Sequence, residues 1–446
     1  MTGAPPPAGG ARAPVGAALV YAAAVTAYFV GVTHRSALGV AGVEAIDRFS
    51  LSATGLAAFS VVQLTVYAGL QIPAGRLLDR FGARALIGTG SLVMAVGQLL
   101  LAFAQDVPTA LVARVLLGAG DAAIFISAIR LVAQWFPPRR VPVMVQVTGL
   151  IGQSGQLASA VPVAWVLHTY GWTAAFGGLA AVGLGATAFA FACIRTGPLG
   201  GQDPRPRTPA STTDPRFVEA VRESTRPAGT RLGWWSHFVT PFSANVIGLL
   251  WGVPFFVTAQ HRSKAEASTL LLALTLTAMV TGPLVGRFTA RHPLRRSWSV
   301  LASCVATLVA WIALLAPSTP RPMWQLLVFV VIVGAGGPVS LVGMDFARSW
   351  SPPHLQGTAT GFVNTGGFTS TIGAVLAIGL ALQLASPAGA TSYSLDAYRL
   401  AFSVLLVPWV IGVAGVLRNR RRTRADLLTA GVTVPPLRDV WRRRSS

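Results

Sequence analysis

The chain has 446 residues, of which 53% are apolar and only 11% charged, with 35 basic side chains against 14 acidic ones. Soluble domains carry about 25% charge, so that class is excluded. The net charge of +21 would suit a nucleic-acid binder, but the basic residues sit in short clusters between long apolar runs, which excludes nucleic acid as the partner.

Twelve apolar runs follow one another, near 14–42, 52–75, 85–105, 108–136, 142–167, 171–194, 233–260, 267–288, 297–316, 322–349, 356–384 and 396–417. Each has about 20 residues or more, enough to cross roughly 30 Å of hydrocarbon as a helix that satisfies its own backbone. The first run is not a cleaved leader, because eleven more spans follow it. The expected fold is therefore an all-α integral membrane protein, with twelve transmembrane helices in two pseudo-symmetric six-helix bundles. Cys193 and Cys304 fall within separate runs and read as small apolar residues. The six histidines have no ligand spacing, and no HExxH, GxSxG or P-loop motif occurs, so neither an enzyme nor a metal or cofactor is expected.

The basic clusters set the expected orientation. With a cytoplasmic N-terminus, 27 basic residues fall on inner segments and 5 on outer ones, and the opposite orientation would invert that bias. Both termini are then cytoplasmic. The domains read as a tail over 1–13, a bundle over 14–195, a Pro-, Arg- and Ser/Thr-rich linker over 196–232, a second bundle over 233–417 and a basic tail over 418–446. Attraction of that tail to anionic headgroups of the cytoplasmic leaflet is expected. The halves repeat: GRLLDRFGAR at 75–84 aligns with GRFTARHPLR at 286–295, and WFPP at 135–138 with WSPP at 350–353. Such duplication is a transporter design with the solute near the repeat interface.

The loop at 75–84 reads G-x-L-x-D-R-x-G-x-R through Gly75, Leu77, Asp79, Arg80, Gly82 and Arg84, with Arg76 also present. In that position it resembles the hallmark loop of the major facilitator superfamily. The degraded second copy and the Arg114–Gly118 pair in the fourth run, RVLLGAGDAA, fit the same resemblance, which covers about 14–417. It implies a carrier in which the loop is a latch, with Asp79 facing the N-terminus of a helix from the other half. Ala290 and Pro293 replace Asp79 and Gly82 in the second copy, so that copy is not expected to make the contact.

Charges within spans are costly and become candidates for function. Arg114 and Asp121 are seven apart on one helix face, so they are expected either to line a cavity, with Asp121 accepting a proton, or to form a static pair. His34 and Arg35 lie late in the first run, where Arg35 either enters the cavity, as a first-span arginine does in organic-anion carriers of the superfamily, or snorkels outward. Gln63, Tyr67 and Gln71 form a polar stripe, Gln146, Gln153 and Gln156 another, and Asn364 sits in the eleventh run. Under the 215-residue shift that aligns Trp135 with Trp350, Arg130 falls on Asp345, and these two are expected to close a cytoplasmic gate, unless Arg130 snorkels and Asp345 pairs with Arg348.

The expected activity is secondary transport of a small solute by alternating access across a bacterial cytoplasmic membrane, by a monomer. A positive surplus in the cavity favours an organic anion, and Asp121 supplies proton coupling. The alternative is a proton-driven efflux antiporter, disfavoured because GLIGQSGQLASAVP in the fifth run lacks the Gly-Pro pair such exporters carry.

Overall fold

The computed structural model describes residues 16–50, 53–195, 217–387 and 393–433. The expected tail at 1–13, and the stretches 196–216 and 434–446 of the linker and basic tail, lie outside the described residues. Among the described residues the elements are all helical, and ten helical segments are long and apolar enough to cross a membrane. The chain divides into two compact units, Met1–Phe217 with His354–Gly361, and Val218–Pro353 with Phe362–Ser446.

The first unit contains α1 (Ala17–Val40), α2 (Gly42–Phe49), α3 (Ala53–Gly69), α4 (Gln71–Phe103), α5 (Val107–Trp135), α6 (Val141–Ala158) and α7 (Ala164–Cys193). Helix α5 starts where Asp106 accepts a hydrogen bond from Thr109 N at 2.8 Å, with Pro108 in the first turn. Helix α4 leaves helical geometry at Gly82 (φ 78°) and α7 at Gly171 (φ 83°), a left-handed region that glycine enters without a Cβ clash. A π-helical turn at Ser159–Val163 joins α6 to α7 around Pro162, whose ring nitrogen has no N–H for the α-pattern. Helix α5 lies almost entirely within the unit. It meets α4 backbone to backbone, because a Cβ on Gly90 or on Gly120 would collide with the other's carbonyl oxygen. In hydrocarbon, helices gain little from burying apolar surface, and this close approach supplies the packing instead.

The second unit takes α8 (Phe217–Thr225) at its boundary, then α9 (Ala228–Val239), α10 (Phe242–Val246), α11 (Gly252–Pro254) between two π-helical turns, α12 (Lys264–Arg291), α13 (Arg296–Leu315), α14 (Met323–Gly334), α15 (Gly336–Ser340), α16 (Val342–Trp350), α17 (Gln356–Leu384), α18 (Leu395–Ser403) and α19 (Leu406–Thr429). The first turn of α17 groups with the first unit. The segment expected as a polar linker is helical from Phe217 onward, and the basic tail continues α19 as helix through Arg418, Arg420, Arg421, Arg422 and Arg424.

Both units carry the same skeleton. Trp135 lies over Gly16 in one, and its repeat mate Trp350 lies over Gly229 in the other. Gly152 of α6 packs on Tyr28 of α1, and Gly366 of α17 packs on the backbone of Trp234 in α9. The aligned motifs therefore mark equivalent places in two similar folds.

Gly120→Ala places a Cβ against the Gly90 carbonyl and should cost about 1–3 kcal/mol of overpacking. Gly178→Ala, where nothing lies within 4 Å, should cost nothing. Thermal unfolding of the purified proteins in detergent should show a lowered midpoint for the first and an unchanged or higher one for the second.

Candidate functional site

The first unit holds a buried ion pair at its centre. Arg35 Nη1 of α1 lies 3.0 Å from Asp121 Oδ2 of α5, with side-chain exposures of 22% and 0%. Gly31, one turn before Arg35, faces the carboxylate, and a Cβ there would sit 3.7 Å from Asp121 Oδ1, an ordinary contact. That Oδ1 has no hydrogen-bond partner among the described residues. The partly open guanidinium lies 5.5 Å from the ring centre of Tyr67, a cation–π distance, and Tyr28 packs behind it against Phe125. The arrangement is a fully buried carboxylate holding an arginine that remains partly exposed. Removing one partner of such a pair typically costs about 3–5 kcal/mol, because the other charge is left alone.

The expected pairing of Arg114 with Asp121 is corrected. Seven residues of helix rise separate them by roughly 10 Å, so a shared face does not bring the charges into contact. Asp121 is met from another helix by Arg35. Arg114 is 2% exposed, donates from Nε to the Phe59 carbonyl at 3.4 Å, and leaves Nη1 without a partner among the described residues. One turn along, Gly118 lies against the Gln63 carbonyl, and both amide atoms of the buried Gln63 side chain also lack partners among the described residues. The α3–α5 seam thus holds a guanidinium and a carboxamide with free hydrogen-bonding capacity.

Other expected residues lie apart from this pair. His34 donates from Nε2 to the Leu179 carbonyl at 3.0 Å, and its own carbonyl accepts from Gln98 Nε2 at 3.2 Å, so it fastens α1 to α7 and α4. The exposed Gln153 and Gln156 bond each other. Asn364 is buried in the second unit beside His237, whose Nδ1 meets the Ser340 carbonyl at 3.1 Å.

The loop motif forms a second charged centre. The Asp79 carboxylate, fully buried, accepts from Arg130 Nη1 at 2.6 Å, Gly357 N at 2.7 Å, Thr358 N at 2.8 Å and Thr358 Oγ1 at 2.7 Å. Two of these donors are first-turn N–H groups of α17, where helix polarity favours a carboxylate. Gly75 and Gly357 each leave space for the other's carbonyl, which permits the approach. Gly82 breaks the helix just beyond, so that Arg84 can bond the Phe191 carbonyl at 3.1 and 2.7 Å. Arg80 lies over Phe81, and Arg76 is half-buried.

Arg130 as a ligand of Asp79 was missed by sequence reasoning. Both residues stand near the ends of their spans, a signal that spacing within one helix does not rank. The gate expectation is corrected accordingly: Arg130 and Asp345 are each paired within their own unit. Asp345 Oδ1 lies 3.5 Å from Arg348, and its carbonyl accepts from Arg296 Nη1 at 2.9 Å. Arg296 also bonds Ser349 and stacks on Phe346. In the second unit the acid is on α16 and its ion-pair partner, Arg348, is on the same helix, while Arg296 reaches only its main-chain carbonyl. Ala290 stands where the first unit has Asp79.

The sequence profile described as Major Facilitator Superfamily matches residues 17–229 and 233–445. The uncharacterized transporter YybO of Bacillus subtilis is 31% identical over 142 residues, 32% of this chain and 33% of that protein. The probable sulfoacetate transporter SauU of Cupriavidus necator is 28% identical over 160 residues, 36% of this chain and 37% of that one. The matches thus span about a third of the length of these relatives. Among solved structures, the proton:xylose symporter XylE bound to 6-bromo-6-deoxy-D-glucose superimposes with a TM-score of 0.64 at 12% identity, covering 90% of this chain and 96% of that one, which shows a shared fold. Because the profile match runs through both units, the chain belongs to the Major Facilitator Superfamily, a family of multi-pass membrane transporters.

Proposed function

We propose that the protein is a proton-coupled secondary transporter of a small organic anion in the bacterial cytoplasmic membrane. The carrying observation is the Arg35–Asp121 pair, a water-sealed carboxylate with one free oxygen beside a guanidinium that is partly open. With Asp121 ionised, Arg35 is neutralised from within. A proton on Asp121 removes that neutralisation, and Arg35 can then offer its two-pronged donor face to a solute carboxylate or sulfonate. Proton and anion enter together, because each makes the other's site electrically favourable. Arg114 Nη1 and Gln63 are the further donors assigned to the solute or to its ordered water. Tyr67 supplies an aromatic wall. The likeness to SauU supports this solute class, sulfoacetate being a small dianion.

Twelve crossings suit this reading. Helix α3 continues past Leu70 into the first part of α4, making one span before Gly82, and α6 and α7 make two spans separated at Gly171. Added to the other long segments these give six per repeat. The charge bias places both termini in the cytoplasm. Asp79, tied to the first turn of α17, is assigned to the latch of the transport cycle.

Proteoliposomes with an imposed pH gradient, screened over small carboxylates and sulfonates, test the proposal. Asp121→Asn should lose gradient-driven accumulation while retaining solute exchange. Accumulation at parental levels by the Asn variant would remove Asp121 from proton coupling.

Arg35→Ala should raise the apparent KM for the anion at least about tenfold, since a charge-assisted pair is worth roughly 1.5–3 kcal/mol. Arg35→Lys should recover expression and fold yet leave affinity impaired, because an ammonium cannot reproduce the fork. An unaltered KM in Arg35→Ala would place the anion elsewhere.

A further inference from the structure

The second unit carries a crevice of about 560 Å³ that the proposed transport cycle does not use, a volume in the range of small-ligand sites. Three guanidinium-bearing residues border it from three stretches of chain: Arg226 in the turn after α8, Arg231 of α9 and Arg422 of α19. Ala228 opens α9 on the same wall. That helix starts from Pro227 with no side-chain cap, so the N–H groups of Ala228, Gly229 and Thr230 lack an intrahelical acceptor. Two buried polar atoms of this turn, Arg231 Nε and Thr230 Oγ1, have no hydrogen-bond partner among the described residues. The crevice also holds two carboxylates. Glu223 already has a partner, and Asp426 is exposed on α19. What remains is a concave site where three guanidinium groups outnumber two carboxylates.

We infer that this crevice binds a phosphate-bearing anion. A phosphoryl group presents several acceptor oxygens at tetrahedral angles, which suits arginine forks arriving from different directions. An uncapped helix start offers backbone donors and a favourable dipole to the same charge. The phosphate can come from an anionic lipid headgroup or from a soluble phosphate. The lipid source rests on the proposed topology, which sets α8, the start of α9 and the extension of α19 at the cytoplasmic headgroup level.

The test uses the full-length protein in neutral detergent at fixed ionic strength, with thermal unfolding followed against added phosphatidylglycerol, phosphatidylcholine or sodium pyrophosphate. A saturable rise in the midpoint with phosphatidylglycerol or with pyrophosphate, and none with phosphatidylcholine, is expected. Phosphatidylglycerol alone acting identifies the headgroup as source, and pyrophosphate alone identifies a soluble phosphate. The combined variant Arg226→Gln, Arg231→Gln, Arg422→Gln should raise the half-saturating concentration at least about tenfold. Arg422→Gln, an exposed site that leaves the fold untouched, should raise it several-fold, and Arg139→Gln, an exposed arginine of the first unit, should not move it. No saturable rise with either probe overturns the inference. So does a rise that is the same in the parent, in Arg422→Gln and in the combined variant, which would mean only diffuse attraction to the basic tail. None of these readouts involves transport, so failure of the transport reading and failure of this one are separable.

Discussion

A charged group removed from water must find its opposite or its hydrogen bonds inside the protein, and the rest of the first unit is arranged around that requirement at two carboxylates. Asp79 meets it completely, with an arginine, two backbone N–H groups and a hydroxyl on its two oxygens. Asp121 meets it minimally, with one arginine on one oxygen. On the proposed reading, the difference separates their roles. A carboxylate held by four donors ties the elements that supply them together. One that depends on a single arginine loses much of its support if that arginine turns to another anion. The glycines serve the same requirement. Gly75 and Gly357 bring α17 to Asp79.

The fold was legible because hydrocarbon imposes a simple rule on sequence. Runs of about 20 apolar residues favour helices, so the all-helical class was legible, and ten helical segments long and apolar enough to cross a membrane are present among the described residues. One element was missed for a physical reason. The linker helix α8 is short and amphipathic, with Glu219, Arg222 and Glu223 among its residues, and a membrane criterion does not see it. The loop expected over 75–84 is present as the break at Gly82, which divides α4 into two helical stretches.

The site was legible as a set of residues and illegible as a set of pairs. Arg35, Arg114, Asp121 and Arg130 stood out because a charge within an apolar run needs a reason. Their partners could not be read from periodicity, which ranks neighbours on one helix and is silent about which helices touch. Asp121 was therefore matched with Arg114, on its own helix, when its partner Arg35 lies on α1. The repeat misled in a related way. It located Asp345 as the mate of Arg130, and the equivalence of their places is real, but equivalence in a duplicated fold says where a residue sits in its own unit. Each found a partner there. The two units share the placement of Trp135 and Trp350 over glycines, while Ala290 stands at the place of Asp79 and the ion pairs differ.

These pairs converge on a single element. Helix α5 bears Arg114, Gly118, Gly120, Asp121 and Arg130, and so touches α3, α4 and α1 through different kinds of contact. Its attachment to α4 is doubled, by the glycine contact at Gly90 and by the Arg130–Asp79 ion pair, and neither changes with a proton on Asp121. Its polar tie to α1 runs through Asp121 and Arg35. Neutralising Asp121 thus weakens one seam of the unit and leaves the other intact, since the Coulomb attraction vanishes while backbone packing does not. On the proposed reading, the proton therefore acts as a selective release. It frees α1 and its arginine relative to a rigid α4–α5 pair, and an anion arriving at Arg35 restores the charge balance that the proton removed. Coupling then needs no long pathway, because the proton acceptor and the anion site share one guanidinium.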